Sequence, residues 1–379
     1  MKLWNLTNNL RMVEGHAIPP YEGLDVPDDL ALRYANAPGL SLSEGSFSLS
    51  QVPTGARDLV LWVINGMGAC GGNRAIYEFA NRLLAREHQV ALYSIAGVQS
   101  VVWFPLRAPI IARLGPYLGR VRAAIATEWH TAPFVAALPV PQKHYFVQMR
   151  ESYFNLDSPP TYQDVENTYR LPLQPFTVSR WLRRFLKEEY NHPRVPVLAV
   201  GIDHDTFYPD PVWRGKSFRA LIEGHENNPA KNVRDAHAAL HDLPLEVWGF
   251  SQDARLARRY RYDSFFHLPD QETIRRLYSA CDVLVKTTRY EGRNSSVLEA
   301  MACGCAVVAT ECLGTDDLRH ERNCLLVPYG DVAAIRAAVQ RLMEEPDLKA
   351  RLVAGGLAHT RGLSWDTGAR QLERILWAT

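Results

Sequence analysis

The chain has 379 residues, of which 47% are apolar and 22% charged, and its formal net charge is +1. This is globular composition at a length of two or more domains, which excludes disordered, collagenous and coiled-coil chains. The near-neutral balance argues against a nucleic-acid binder, no apolar run reaches the ~18 residues of a membrane span, and the first residues lack the apolar core of a signal peptide.

Residues 1–57 are punctuated by Pro19, Pro20, Pro27, Pro38 and Pro53 and read as an irregular N-terminal extension, with one short strand at Ser46–Ser50. At Asp58 the pattern changes. LVLWVIN (59–65) is a continuous apolar run of strand length, as expected for a strand covered on both faces. GMGACGG follows, then a helix from Asn73 to about Arg86 with apolar residues at helical spacing. QVALYSI (89–95), AAIATEW (123–129), HYFVQM (144–149) and FTVS (176–179) read as further strands, the last followed by the helical RWLRRFLKEEY. Residues 196–215, rich in Pro and Gly, read as a linker.

The alternation then restarts. FRALIEG (218–224), LEVWGF (245–250), DVLVKTT (282–288) and AVVAT (306–310) are expected strands. Val233–Leu240, Glu272–Ser279, Ser295–Cys303, 331–344 and 346–357 are expected helices, and Trp365–Trp377 closes the chain. Strands alternating with helices imply parallel sheets. The expected fold class is α/β, two Rossmann-like doubly wound domains facing across a cleft, with ligands outside the carboxyl ends of the strands. Residues 58–201 hold 15 Lys/Arg against 10 Asp/Glu, which hints at an anionic ligand or surface there. The six cysteines, 70, 281, 303, 305, 312 and 324, form no CxxC pair and read as reduced thiols of a cytoplasmic protein. Cys303 and Cys305 sit where a helix end runs into a strand, which is no zinc knuckle.

The stretch KTTRYEGRNSSVLEAMACG (286–304) carries the most chemistry. An apolar strand ends in a polar loop, and a helix begins. Ser295 and Ser296 fall where N-caps fall, so backbone N–H groups should point into the loop and hold phosphate or a polar sugar face. Glu291 on the loop and Glu299 one turn into the helix can accept hydrogen bonds from vicinal hydroxyls. Read on spacing alone, both fit solvated carboxylates as well. Gly71 and Gly72 let backbone approach a ligand closely, with Arg74 in the first helical turn, although GMGACGG is neither a GxGxxG fingerprint nor a Walker loop. His130 and Glu151 each follow an expected strand. No acidic pair stands at a strand end, and Asp316–Asp317 sits in a loop, so no metal is expected. PLRAPIIARLGPYLGRVR (105–122) and SRWLRRFLKEEY (179–190) are basic and apolar, as in helices that lie on an anionic membrane.

EGRNSSVLEAMACG resembles the signature of retaining glycosyltransferases of the GT-B fold, family 4: a glutamate, seven residues, a second glutamate, then AMACG. CGGNRAIYEFANRLLAREHQV (70–90), ATEWHTA (126–132), AVGIDHDTFYP (199–209) and NCLLVPYGDVAAI (323–335) are similar to further stretches of that family, in its order. KHYFVQMRESYF (143–154) resembles the branch that builds rhamnose-type or other surface polysaccharides. The likeness spans roughly residues 58–377.

The resemblance implies residues 58–200 as an acceptor domain and 201–360 as a nucleotide-sugar domain. Residues 361–379 would form a helix crossing back to the first. It implies transfer of a hexose or deoxyhexose, with retention, from a nucleoside-diphosphate sugar to a hydroxyl of a glycan, glycolipid or small molecule. No cofactor and no metal are implied, and peripheral contact with the inner membrane face would go through the basic helices. Glu291 would contact the transferred sugar and Glu299 the donor ribose, while Gly292, Arg293, Asn294, Ser295 and Ser296 face sugar and diphosphate. Gly71 and Gly72 would line the donor. Lys231 would hold the diphosphate, and His130, Arg74 and Glu151 would meet the acceptor. Glu291, Lys231 and His130 would carry the catalytic roles, and the base would stack near His267–Pro269.

The family's glycine-arginine turn before the lysine is a departure, since His225 follows Gly224 here. His225, Arg234 or Arg289 would have to supply the second charge. The missing arginine leaves open a catalytically silent sugar-nucleotide-binding paralogue. A nucleotide-sugar epimerase shares the architecture. A dinucleotide oxidoreductase is disfavoured by the poor glycine fingerprint.

Overall fold

A computed structural model describes residues 57–210, 213, 215–225 and 228–377. The irregular extension up to residue 56, with its expected strand at Ser46–Ser50, lies outside the described residues. The chain divides into two compact units, one of residues up to 199 together with those from 365, the other of residues 200–364.

The first unit is a parallel sheet flanked by helices. Its strands are β1 (Leu59–Ile64), β2 (Val90–Ser94), β3 (Ile110–Ile111), β4 (Val121–Ala126), β5 (Gln142–Val147) and β6 (Gln174–Thr177). They run in the order β3-β2-β1-β4-β5-β6, and all pair in parallel. All six residues of β1 are buried, which is why an unbroken apolar run was needed there. Its helices are α1 (Gly71–Ala85), α2 (Thr131–Ala137), α3 (Pro159–Thr168) and α4 (Arg180–Tyr190). Cys70 caps α1, its Sγ accepting from Asn73 N at 3.4 Å.

The stretch 105–122 is not a helix. It holds the two-residue β3, a 3-10 turn at Gly115–Arg120 and the start of β4. Pro105, Pro109 and Pro116 break helical hydrogen bonding there. α4 is helical and amphipathic, but Trp181, Leu182, Phe185 and Leu186 are buried within its own unit. Its apolar face is thus occupied by packing, and only its polar and basic face is exposed. Among the described residues no helix is long and apolar enough to cross a membrane.

The last helix, α11 (Trp365–Trp377), packs in this first unit. Trp365 meets Phe79 of α1 edge to face at 5.3 Å. Glu373 accepts from Arg86 Nε at 2.6 Å and pairs with His88 at 2.7 Å, and Trp377 stacks on His88. The packing is tight at Gly368, where an added Cβ would lie 2.1 Å from the Ala199 carbonyl oxygen and 2.7 Å from the Phe79 ring. Gly368→Ala must push the helix off both. Overpacking of this kind costs roughly 1–3 kcal/mol, so a melting temperature several degrees below wild type is expected, and an unchanged one would mean that α11 docks loosely.

The second unit repeats the architecture with β7 (Arg219–Glu223), β8 (Glu246–Ser251), β9 (Ser264–His267), β10 (Val283–Lys286), β11 (Ala306–Thr310) and β12 (Leu325–Val327). Their order is β12-β11-β10-β7-β8-β9. The helices are α5 (Val233–Leu240), α6 (Leu256–Arg259), α7 (Gln271–Ala280), α8 (Ser295–Ala302), α9 (Val332–Glu344) and α10 (Pro346–Thr360). Strand residues alternate between two cores, as the pleat requires. Leu221, Leu284 and Val307 pack with Leu277, Leu298 and Met301 on one face. Ile222, Val285 and Val308 pack with Ala236, Ile335 and Leu352 on the other. Strands β9 and β12, of four and three residues, form the two edges of the sheet.

Candidate functional site

In the second unit β7 and β10 are neighbours at the middle of the sheet. The strand order runs outward from them in opposite directions, so loops leaving their carboxyl ends diverge and open a crevice. After β7 the chain passes Gly224 and His225 into a 3-10 turn, Pro229–Lys231. The Asn228 side chain accepts from Ala230 N at 3.1 Å. The loop after β10 pins this turn, because Arg289 N donates to Ala230 O at 2.8 Å and Thr287 Oγ1 to Asn232 O at 2.8 Å. Lys231 is thereby held out over the strand ends.

Lys231 Nζ donates to Glu291 Oε1 at 2.6 Å. The Glu291 backbone is fixed from behind, its N–H donating to Leu313 O at 2.9 Å. Gly314, with φ +96°, lies so close that a Cβ there would be 2.3 Å from the Glu291 carbonyl oxygen. Only glycine meets both conditions without strain.

Two further charged residues lie beneath. Lys286, the last residue of β10, is buried and ion-paired with Glu223, the last residue of β7. Its Nζ is also 3.9 Å from Glu291 Oε1. Burial opposes the charge on Glu223, but Lys286 and Lys231 outweigh it and hold this carboxyl at about 2. For Lys231 burial works against the proton, and Glu291 and Glu223 overcome it and raise the ammonium above its ordinary value. Sequence reasoning missed Glu223 and Lys286, since each ends an apolar strand and looks like a boundary residue.

The helix that follows is α8. Its N-cap position is held by Asn294 rather than by the serines, one residue earlier than the sequence suggested. Ser296 Oγ donates to Asn294 Oδ1 at 3.3 Å. The Ser295 N–H is already used by Arg293 O at 3.0 Å. Gly292 and Asn294 are buried, and Glu299, one turn into the helix, is half-buried. Arg293 pairs with Asp317 at 3.2 Å, and His359 approaches the same oxygen at 3.6 Å. Asp317 is thus a partner of both Arg293 and His359 in this structure.

Of the three residues offered for a second diphosphate charge, His225 and Arg234 line a cavity of about 790 Å³ together with Arg255, Arg258, Arg259 and Tyr329. His225 Nδ1 is 3.8 Å from Asp253, which Arg255 also holds at 2.7 Å. Arg289 instead lies over the rings of Tyr290 and Tyr329. The arginines of α6 belong to a helix that the sequence reading did not mark. His267 ends the edge strand β9, and its Nε2 lies 3.1 Å from Gln252 O.

The remaining candidates belong to the first unit, where they follow three adjacent strands. Gly71 and Gly72 come after β1, His130 after β4 and Glu151 after β5. Asn73 Nδ2 donates to the carbonyls of Gly66 and Gly68 at 2.9 and 2.8 Å and closes the glycine loop on itself. Arg74 lies 3.9 Å from Glu78. His130 Nδ1 is 3.5 Å from Glu128. Glu151 Oε2 accepts from Trp129 N at 2.8 Å and from Tyr145 OH at 3.0 Å. Its carboxylate therefore secures the loop that carries His130. Burial, reinforced by the Glu128 charge, pushes the Glu151 carboxyl up to about 8.

Comparison with known proteins agrees with this fold. Residues 228–345 match the family model described as "Glycosyl transferases group 1". An Anabaena protein, HepE, solved in complex with UDP-glucose, superposes with a TM-score of 0.69 at 16% identity, over 85% of this chain and 100% of that one. The chain has the GT-B glycosyltransferase fold. The matched stretch, 228–345, holds Lys231, Lys286, Glu291 and Glu299. The D-inositol 3-phosphate glycosyltransferase of Thermomonospora curvata is 33% identical over 99 residues, 26% of this chain and 23% of the relative. The O-antigen chain mannosyltransferase B of Escherichia coli is 27% identical over 177 residues, 42% of this chain and 45% of the relative. The matched region thus spans less than half the length of either curated relative.

Proposed function

We propose that this GT-B chain is a glycosyltransferase that takes a sugar from a nucleoside-diphosphate donor and passes it to a hydroxyl acceptor. The observation that carries this reading is the Lys231–Glu291 pair at 2.6 Å, set at the carboxyl ends of two central strands beside the start of α8. The cleaved bond joins the anomeric carbon to the donor phosphate oxygen, so negative charge grows on the diphosphate. A fixed ammonium and a helix start aimed at that charge lower the barrier. Lys231 has that role here without a metal. Glu291 and Glu299 accept from hydroxyls of the sugar and the ribose. In keeping with the resemblance to retaining enzymes, the acceptor oxygen bonds to the anomeric carbon on the face the phosphate leaves, the leaving phosphate takes the acceptor proton, and the anomeric configuration is retained. The second sheet's unit holds the donor, and His130 and Arg74 of the first unit contribute to the acceptor.

Likeness to an O-antigen mannosyltransferase supports a glycan or glycolipid acceptor in surface polysaccharide synthesis. The basic face of α4 is the remaining candidate for peripheral membrane contact.

The test is a thermal-shift screen of UDP, GDP, ADP and TDP and their sugars, run in EDTA, on wild type and Glu299→Ala. A ligand at ~100 times its dissociation constant stabilises by roughly 2.7 kcal/mol. One nucleotide should shift wild type and shift the variant far less. Hydrolysis of that sugar donor without acceptor, and transfer with one, should then follow. No shift with any nucleotide would remove the donor reading. A shift without hydrolysis or transfer in any acceptor screen would favour the silent paralogue.

A further inference from the structure

Lys286 and Glu223 have no place in the scheme above, yet four charges form one run: Glu223, Lys286, Glu291, Lys231. The two lysines share an oxygen. Glu291 Oε1 accepts from Lys231 at 2.6 Å and has Lys286 Nζ at 3.9 Å. They differ in access. The Lys231 side chain is 24% exposed, whereas that of Lys286 is 2% exposed and walled in by strands β7 and β10. A ligand phosphate can therefore engage Lys231 and cannot reach Lys286.

A diphosphate that draws Lys231 toward itself takes away the short partner of Glu291. The Glu291 side chain is only 16% exposed, and a carboxylate left unpaired in such a place either costs free energy or takes up a proton. A protonated Glu291 would be a donor where an acceptor for sugar hydroxyls is wanted. Lys286 lies within about 1 Å of direct contact with the same oxygen, judged by ordinary charged hydrogen-bond lengths. Structure alone does not call for a lysine there, because a buried ion pair can be replaced by neutral groups of similar size without loss of stability.

We propose that Lys286 is a positioning residue that takes over Glu291 when a donor diphosphate engages Lys231, so that Glu291 stays paired and aimed through donor binding. The proposal rests on the reading of Lys231 as the diphosphate ligand. Lys286 keeps Glu223 as its standing partner and gains Glu291 as a second one. No bond is made or broken, and Lys286 touches neither donor nor acceptor.

The test uses the full chain with Lys286→Met, and with Lys286→Met combined with Glu223→Gln so that no charge is stranded. UDP, GDP, ADP and TDP are titrated calorimetrically from pH 5 to 8 in buffers of different ionisation heat, which gives the affinity and the protons taken up on binding. Wild type should bind one of them with the same proton count as free-ligand titration predicts. The double variant should melt near the wild-type temperature, take up to one additional proton per nucleotide bound, and bind about tenfold more weakly at pH 8 than wild type. Adding Glu291→Gln to it should abolish the additional proton. If the double variant binds with wild-type affinity and wild-type proton count, Lys286 is only the structural partner of Glu223 and the proposal fails. If wild type binds none of the four, the donor reading fails first and the handover falls with it, a pattern distinct from failure of the handover alone.

Discussion

Lys231→Met is expected to lower turnover of the nucleotide-sugar donor by about 10²–10³-fold, the loss typical of removing one preorganised group from a developing oxyanion. Three features single out this lysine. Its turn is fixed from two sides, by Asn228 and by the loop after β10. Its ammonium is held above its ordinary value by two carboxylates, so it stays charged across the neutral range. And it is the more accessible of the two lysines at this strand end. Lys231→Arg keeps the charge but not the compact geometry, and guanidinium and ammonium are not interchangeable at such a site. A partial recovery is expected, with the donor KM nearer wild type than kcat. Melting curves for both variants separate a folding defect from a catalytic one, since removing one member of a half-buried pair also destabilises. A folded Lys231→Met variant with activity within a few-fold of wild type would move the diphosphate charge to the arginines around the 790 Å³ cavity.

Much of the fold was legible because burial imposes a pattern. β1 and β11 are buried on both faces and read as unbroken apolar runs in the sequence. α5 and α11 have one wet face and show helical spacing. Strands β3 and β12, at the sheet edges, have only two and three residues, Ile-Ile and Leu-Leu-Val, too few to show a period. In the stretch 105–122 basic and apolar residues alternate loosely enough to suit a helix, and Pro105, Pro109 and Pro116 forbid one. At the site, Glu291 and Glu299 were found through a motif and Lys231 through a resemblance. Glu223 and Lys286 belong to no motif and follow their strands without a break. Only the register of β7 against β10 brings them together, and register is a tertiary fact. Gly314 was equally silent, because its role is to leave room for a backbone 23 residues earlier in the chain.

Glu151 gives a prediction whose sign runs against intuition for a hydrogen-bonded carboxylate. Its carboxyl is pushed up to about 8 from an ordinary 4.5, first by burial and then by the charge of Glu128. The native state therefore holds a proton that the unfolded chain has already released, and stability falls as pH rises from about 4.5 to about 8. Glu151→Gln removes the titration while keeping an oxygen for Trp129 N and Tyr145 OH. At pH 5 the variant should melt close to wild type. At pH 8 to 9 it should melt several degrees higher, with the wild-type slope flattened between. Parallel melting curves for the two proteins from pH 5 to 9 would show that Glu151 ionises normally. The consequence reaches the loop as well as the fold, because the Trp129 N–H that Glu151 secures is the residue before His130. Ionising Glu151 next to Glu128 sets two negative charges against each other under that loop, so any role of His130 toward an acceptor should weaken above pH 8 in wild type and persist in Glu151→Gln.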